Sequence, residues 1–336
     1  MIRLSRLVFG AALFAGLAAS PAKVGAAEPD KLLPADTDIV AIINLKQVLE
    51  TDIIKKYALD QIKQLLDGQD IKKLLGDLGL DPLKDVEKLV ISTSETKFEA
   101  GAEPKFLLIV HGKFDAEKLF KTAEAEAKKD GDKFALIKDG NTVMFKYQGA
   151  EGQPPLYATV VNDTTVIAAS EKKIITTALK AEAAAKPAAL KKELADLLKK
   201  ADDKTSIFVA GLLKGKLDDL KIPGGGMIPI KFDDLEKLIP KMESVAVAVK
   251  IGTDVLVDVT IGMKDDDSAG DMRNALDDLL KQIKPLVQLL GAAEPRAKPL
   301  ADVLGSIKTG SKNKDVTISG KVTGANIGKM IKPDCE

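Results

Sequence analysis

Short apolar runs rich in β-branched residues, closed at each end by turn formers, alternate along this chain with longer stretches whose apolar positions recur every three or four residues. That alternation constrains the fold more than any other feature. Brief runs suit buried or half-buried strands, whereas the 3.6-residue period suits helices with one apolar face. Residues 39–45 (Ile-Val-Ala-Ile-Ile-Asn-Leu) read as a strand, and the stripe through Val48, Ile53, Tyr57, Ile62 and Leu66 predicts one long helix over 48–66. A shorter helix is expected over 70–78, ended by Gly79, the residue type that tolerates a left-handed helix terminus. Strands follow over 85–93 and 106–112, and Asp115 stands at the N-cap of the next helix. Residues 134–137 and 142–147 flank Asp139-Gly140-Asn141, and residues 156–161 and 165–169 flank Asn162-Asp163, so each set predicts a hairpin. Helices are then expected over 171–185, capped by Ser170, and over 188–201.

Beyond residue 200 the pattern restarts. The run Asp203-Lys204-Thr205-Ser206-Ile207-Phe208-Val209-Ala210 echoes Asp36-Thr37-Asp38-Ile39-Val40-Ala41, and Leu235-Glu236-Lys237-Leu238 before a strand at 244–251 echoes Val86-Glu87-Lys88-Leu89. Residues 255–262 match 106–112, Asp265-Asp266-Asp267-Ser268 opens a long helix as Asp115 does, and a late strand at 316–322 has a potential partner at 304–309. Tight turns between short strands, with helices long enough to cover a sheet, indicate α+β layers and not a doubly wound parallel sheet. The expected fold class is therefore α+β with two similar domains, each a mostly antiparallel sheet covered by long amphipathic helices. The expected division is a signal peptide at 1–27, domains at 28–187 and 188–332, and a tail at 333–336.

The first 27 residues carry Arg3 and Arg6, an apolar run over 7–19, and the small-residue stretch Val24-Gly25-Ala26-Ala27. This is the pattern of a cleaved export leader, with the cut expected after Ala27 and the mature chain periplasmic or secreted. Gly10, Gly16, Ser20 and Pro21 interrupt the run, so a retained spanning helix is not expected, and no later segment is long and apolar enough to span a bilayer. Lys+Arg and Asp+Glu both number 50; loss of Arg3, Arg6 and Lys23 leaves a net charge of −3. Positive charges are interspersed with acids, and aromatic residues make up only 4% with no Trp, which argues against nucleic-acid binding. Cys335 is the one cysteine, so the fold depends on buried apolar area and not on internal disulfides.

No motif carries chemistry. His111 is the single histidine and lies within an apolar strand, so it reads as a structural residue; a Gly-x-Ser-x-Gly elbow is absent. The run from Gly305 to Lys312 superficially matches a phosphate loop, but Ser311 precedes Lys312 where the loop needs Lys directly after glycine, and it reads as a turn. Asp265-Asp266-Asp267 lacks the acid that a calcium loop needs at its twelfth position, Leu276, and reads as helix capping by Asp267 or Ser268. Gly224-Gly225-Gly226 reads as a connector, and Asn162-Asp163-Thr164 matches a glycosylation sequon but reads as a turn. The apolar face running from Ala275 to Leu290 is broad enough to wall a groove, with ordinary core packing the simpler use. No catalytic, cofactor-binding or metal-binding residue is assigned, and no cofactor is expected.

The segments Leu33-Pro34-Ala35-Asp36-Thr37 before one strand and Leu80-Asp81-Pro82-Leu83-Lys84-Asp85-Val86-Glu87 before another resemble exported bacterial proteins of uncharacterised function with duplicated α+β domains. The resemblance implies a layout and no catalytic residues. The expected function is that of a non-enzymatic exported binding or scaffolding module of the cell envelope, with an unknown protein as partner. Alternatives are a carrier for a hydrophobic, lipid-like ligand held between sheet and helices, and an enzyme of unknown type.

Overall fold

The computed structural model describes residues 29–68, 79–94, 105–129, 133–140, 142–149, 154–183, 189–218, 232–294 and 297–331, with residues 72, 75, 76 and 131 between them. The expected leader and its cleavage site, most of the expected helix at 70–78, Asn141, residues 184–188, Gly224 to Gly226 and Cys335 lie outside the described residues. The chain is α+β, and it gathers into two compact units that part between Asp202 and Asp203.

The first unit runs β1 (Ile39–Ile43), α1 (Leu45–Glu50), α2 (Asp52–Tyr57), α3 (Leu59–Leu66), α4 (Pro82–Asp85), β2 (Val86–Thr93), β3 (Leu107–Gly112) and α5 (Ala116–Lys129). Two hairpins follow, β4 (Phe134–Asp139) with β5 (Thr142–Tyr147) and β6 (Leu156–Asn162) with β7 (Thr165–Ala169), then α6 (Lys172–Ala183) and α7 (Lys192–Leu198). Its strands lie in the order β1-β2-β3-β7-β6-β5-β4, each pairing antiparallel. Strand β7 returns to pair with β3, so sequence neighbours are not always sheet neighbours. Register puts Val40, Val90, Leu107, Ile109 and Ile167 on one face, all nearly inaccessible. From α6 the buried Ile175, Ala178 and Ala181 recur every three residues on one side, where two alanines let the helix approach β6 and β7. Phe120 of α5 meets Phe145 of β5 edge-on at 5.5 Å, and Phe145 stacks on Phe134 at 5.7 Å.

The second unit runs β8 (Ile207–Leu212), α8 (Asp233–Leu238), a 3-10 turn (Ile239–Lys241), β9 (Met242–Ile251), β10 (Asp254–Met263) and α9 (Asp266–Ala293). Then come α10 (Lys298–Ser306), β11 (Lys308–Lys312), β12 (Asp315–Thr323) and α11 (Gly324–Ile331). Strand order is β8-β9-β10-β12-β11, again antiparallel at each pairing. Leu238, Ile261, Met263, Ala269, Met272 and Val316 form its buried cluster, with Ala275 and Leu276 packed against it.

Three expectations change. The helix expected over 48–66 is three short ones, parted at Thr51 and at Ala58; at the first break Thr51 leaves helical geometry at ψ 144°, donates its hydroxyl to the Val48 carbonyl at 2.8 Å and accepts the Ile54 amide. A threonine that bonds nearby backbone in this way offers the chain an alternative to continuing the helix. Residues 305–312 are not a turn: Gly305 and Ser306 finish α10, and Lys308 to Lys312 form strand β11. The broad face from 275 to 290 is divided, with Ala275 and Leu276 on the core while Leu286, Leu289 and Leu290 are exposed.

Candidate functional site

Polar groups gather at both ends of β3 in the first unit. At its C-terminal end, His111 continues the face of Leu107 and Ile109 and pairs in register with Lys88 on one side and Thr165 on the other. Its Nε2 lies 2.5 Å from Asp30 Oδ2, and its Nδ1 lies 3.3 Å from Thr165 Oγ1. With the carboxylate ionised, Nε2 donates to Asp30; a neutral ring then accepts the threonine hydroxyl at Nδ1, and a protonated ring donates to it. Asp30 also accepts the Leu32 amide at 3.1 Å. Burial pushes the Asp30 carboxyl up, but the His111 hydrogen bond, the Leu32 amide and the charges of His111 and Lys88 outweigh it and hold the group below its ordinary value.

The order carboxylate, imidazole, hydroxyl is that of a nucleophilic relay. The surroundings favour a clasp instead. Thr165 is only 6% exposed, on a strand whose ladder it shares with His111, so its hydroxyl faces the ring and not a substrate. Leu32 and Leu33, next to Asp30, are 3% and 2% exposed. Asp30 is therefore the polar end of an apolar strap that the His111 bond fastens to β3.

The strap continues to the other end of β3. There Pro34, Thr37, Ser92, Lys105, Phe106 and Glu171 are among the residues around a cleft of ≈ 200 Å³. Lys105 and Glu171 pair at 3.2 Å, and the Ser170 hydroxyl accepts the Phe106 amide at 3.1 Å. Beside this end, buried Asp38 pairs with Lys191 at 2.5 Å. Leu107 and Ile174 also line it, so the cleft mixes apolar side chains with hydroxyls and both charge signs.

The remaining sequence candidates fall apart from these groups. Asp265, and not Asp267 or Ser268, caps α9: its side chain accepts the Ser268 amide at 2.8 Å, and the Ser268 hydroxyl and amide with nearby Lys241 and Lys264 hold its carboxyl low. The helix begins at Asp266, ahead of the start that a cap at Asp267 or Ser268 implies, leaving Asp266 and Asp267 in its first turn. Asn162 ends β6, and its Oδ1 accepts the Thr164 amide at 2.9 Å and hydroxyl at 2.8 Å, an Asx turn. Among the described residues, no three His, Cys, Asp or Glu side chains gather as metal ligands would. Sequence reading missed Asp30 and Thr165 as partners of His111. Nothing local marks them, since they lie 81 and 54 residues away and the second meets His111 only because β7 returns beside β3. No family model, curated protein or solved structure matches the chain.

Proposed function

We propose that the chain is an exported, non-enzymatic protein of the cell envelope, built of two similar α+β domains that bind or scaffold a protein partner. The observation that carries this reading is one strand order met twice: β1-β2-β3-β7-β6 and β8-β9-β10-β12-β11. The first unit adds only the β4–β5 hairpin at its outer edge. Equivalent points carry equivalent devices. Thr37 and Thr205, each 2% exposed, precede the first strands. Gly112 and Gly262 stand near the ends of the third strands, where a side chain would strike the Asp85 carbonyl or the Ser244 hydroxyl. The amides of Phe114 and Met263 tie those ends to the carbonyls of Asp163 and Lys314, in the turns before the returning strands. Asp115 and Asp265 then cap the following helices through the amides of Lys118 and Ser268.

Polar residues thus have structural partners, and the His111 group fastens a strap, which favours binding or scaffolding over turnover. Export rests on the leader pattern in residues 1–27. The test is intact-mass analysis of the protein recovered from fractionated cells of its own host. A mature chain beginning at Glu28 in the envelope fraction is the expected result, and an uncut chain confined to the cytoplasm would refute export. Turnover of hydrolase substrates by the purified mature protein, abolished by His111→Ala, would refute the non-enzymatic assignment.

A further inference from the structure

Two buried hydroxyls of the first unit take no part in the structural bonds described above. Thr37 and Ser92 are 2% and 3% exposed, yet among the described residues neither side chain makes a hydrogen bond. Neither oxygen is wholly sealed from solvent, and both residues line the cleft at the N-terminal end of β3, so each hydroxyl opens onto that cleft. Ser92 is the odd member of its row. It pairs in register with Val40 on β1 and Leu107 on β3, both nearly inaccessible, on the sheet face that carries the core. A polar group in such a place costs free energy unless it is bonded, and an apolar residue suits the sheet better. In the proposed duplication the second unit has one: Ala248 of β9 stands opposite Phe208 as Ser92 stands opposite Val40. The strand does not need this hydroxyl.

Around the two hydroxyls the cleft sets charges of both signs beside apolar surface. Lys105 and Glu171 pair at 3.2 Å, about half exposed, while Asp36 and Lys173, also exposed, form no ion pair among the described residues. The first turns of α6, the positive end of its dipole, border the cleft through Lys173 and Ile174. Two cations against two acids favour neither a bare anion nor a bare cation, and a ligand that carries both charges satisfies them together. We propose that this cleft binds a free α-amino acid with a small apolar side chain. The carboxylate meets Lys173, the N-terminus of α6 and the Thr37 and Ser92 hydroxyls, the ammonium group meets the acids, and the side chain rests on Leu107 and Ile174. At ≈ 200 Å³ the cleft lies below the roughly 300–1,000 Å³ of sites for drug-sized ligands, which limits the occupant to about this size. The proposal does not rest on the protein partner proposed above.

Isothermal titration of the purified protein with L-valine, isovalerate and isobutylamine tests it, the last two being valine without its ammonium group and without its carboxylate. Saturable binding of valine is expected, with each analogue weaker by about tenfold or more, since each loses its charged hydrogen bonds. Ser92→Ala should weaken valine binding by about ten- to a hundredfold, the range for a hydrogen bond to a charged group, and should leave the denaturation midpoint unchanged or raised. Thr37→Val should weaken valine binding in the same range. No saturable binding of valine, an analogue that binds as well as valine, or unchanged affinity in both variants would overturn the proposal. So would a lowered midpoint in Ser92→Ala, which would make its hydroxyl a structural group.

Discussion

At the scale of single residues, the Asp30–His111 bond has the clearest thermodynamic signature. The Asp30 carboxyl titrates below its ordinary 3.8 in the folded chain, so its contribution is fully present above the unfolded value and is lost as pH falls through the lower folded one. Asp30→Asn should therefore cost about 1.5–3 kcal/mol near neutrality, the range for a hydrogen bond to a charged group, and progressively less in strong acid. Urea unfolding of wild type and variant at a series of pH values checks this; a cost that grows toward acid would contradict it. Gly112 makes a second residue-scale prediction. A Cβ there meets the fixed Asp85 carbonyl, whereas at the equivalent Gly262 it meets a Ser244 side chain that can turn away. Gly112→Ala should cost about 2–3 kcal/mol, as overpacking does, and Gly262→Ala less, read as denaturation midpoints. The sequence marks His111 as structural by its apolar neighbours, but its partners depend on strand order and a distant strap. Local pattern carries neither.

At the scale of elements, short strands and the cap of α5 were legible because their causes are local, whereas Ser170, expected to cap the helix over 171–185, instead accepts the Phe106 amide while α6 begins at Lys172, and the cap expected at Asp267 or Ser268 falls at Asp265. Asp115 caps α5 through the Lys118 amide at 2.9 Å, as its place before an amphipathic run predicts. Gly79 takes φ 65°, with the Leu80 amide reaching the Leu75 carbonyl at 2.9 Å, as a glycine helix stop predicts. Apolar periodicity misjudged length where a polar side chain competes for backbone. Thr51 interrupts the stripe before α2, Ala58 at φ −126° parts α2 from α3, and Ile62, Leu65 and Leu66 find no buried site on α3. Thr51→Ala removes both the cap of α2 and the bond to Val48, and should cost about 1 kcal/mol with a rise in amide exchange over residues 52–57. Unchanged exchange would mean that packing of Ile53, and not the hydroxyl, holds the helix. Helices α10 and α11 were not anticipated: Gly305 and Pro299 in one, Gly324 and Gly328 in the other, weaken the helical signal that tertiary packing overrides.

At the scale of the whole molecule, the α+β class was readable from alternating periods, while the insertion of β7 beside β3 and of β12 beside β10 was not, because pairing over long separations leaves no local trace. That insertion is what makes the two units alike in the proposed duplication. It also gives the polar devices at the ends of the third strands their common purpose, since each ties the third strand to the turn that precedes the returning one. If the duplication is right, the cores should respond alike to equivalent cavities. Ile109→Ala in the first unit and Ile261→Ala in the second remove fully or nearly buried side chains and should each cost about 2–5 kcal/mol by denaturant unfolding. The most direct measurement of the central claim is interstrand nuclear Overhauser contacts in the deuterated protein. Contacts joining Val110 to Val166 and Val259 to Ile318, the registers of β3 with β7 and β10 with β12, are the predicted result. Contacts that instead set β3 beside β4, or β10 beside β11, would contradict it.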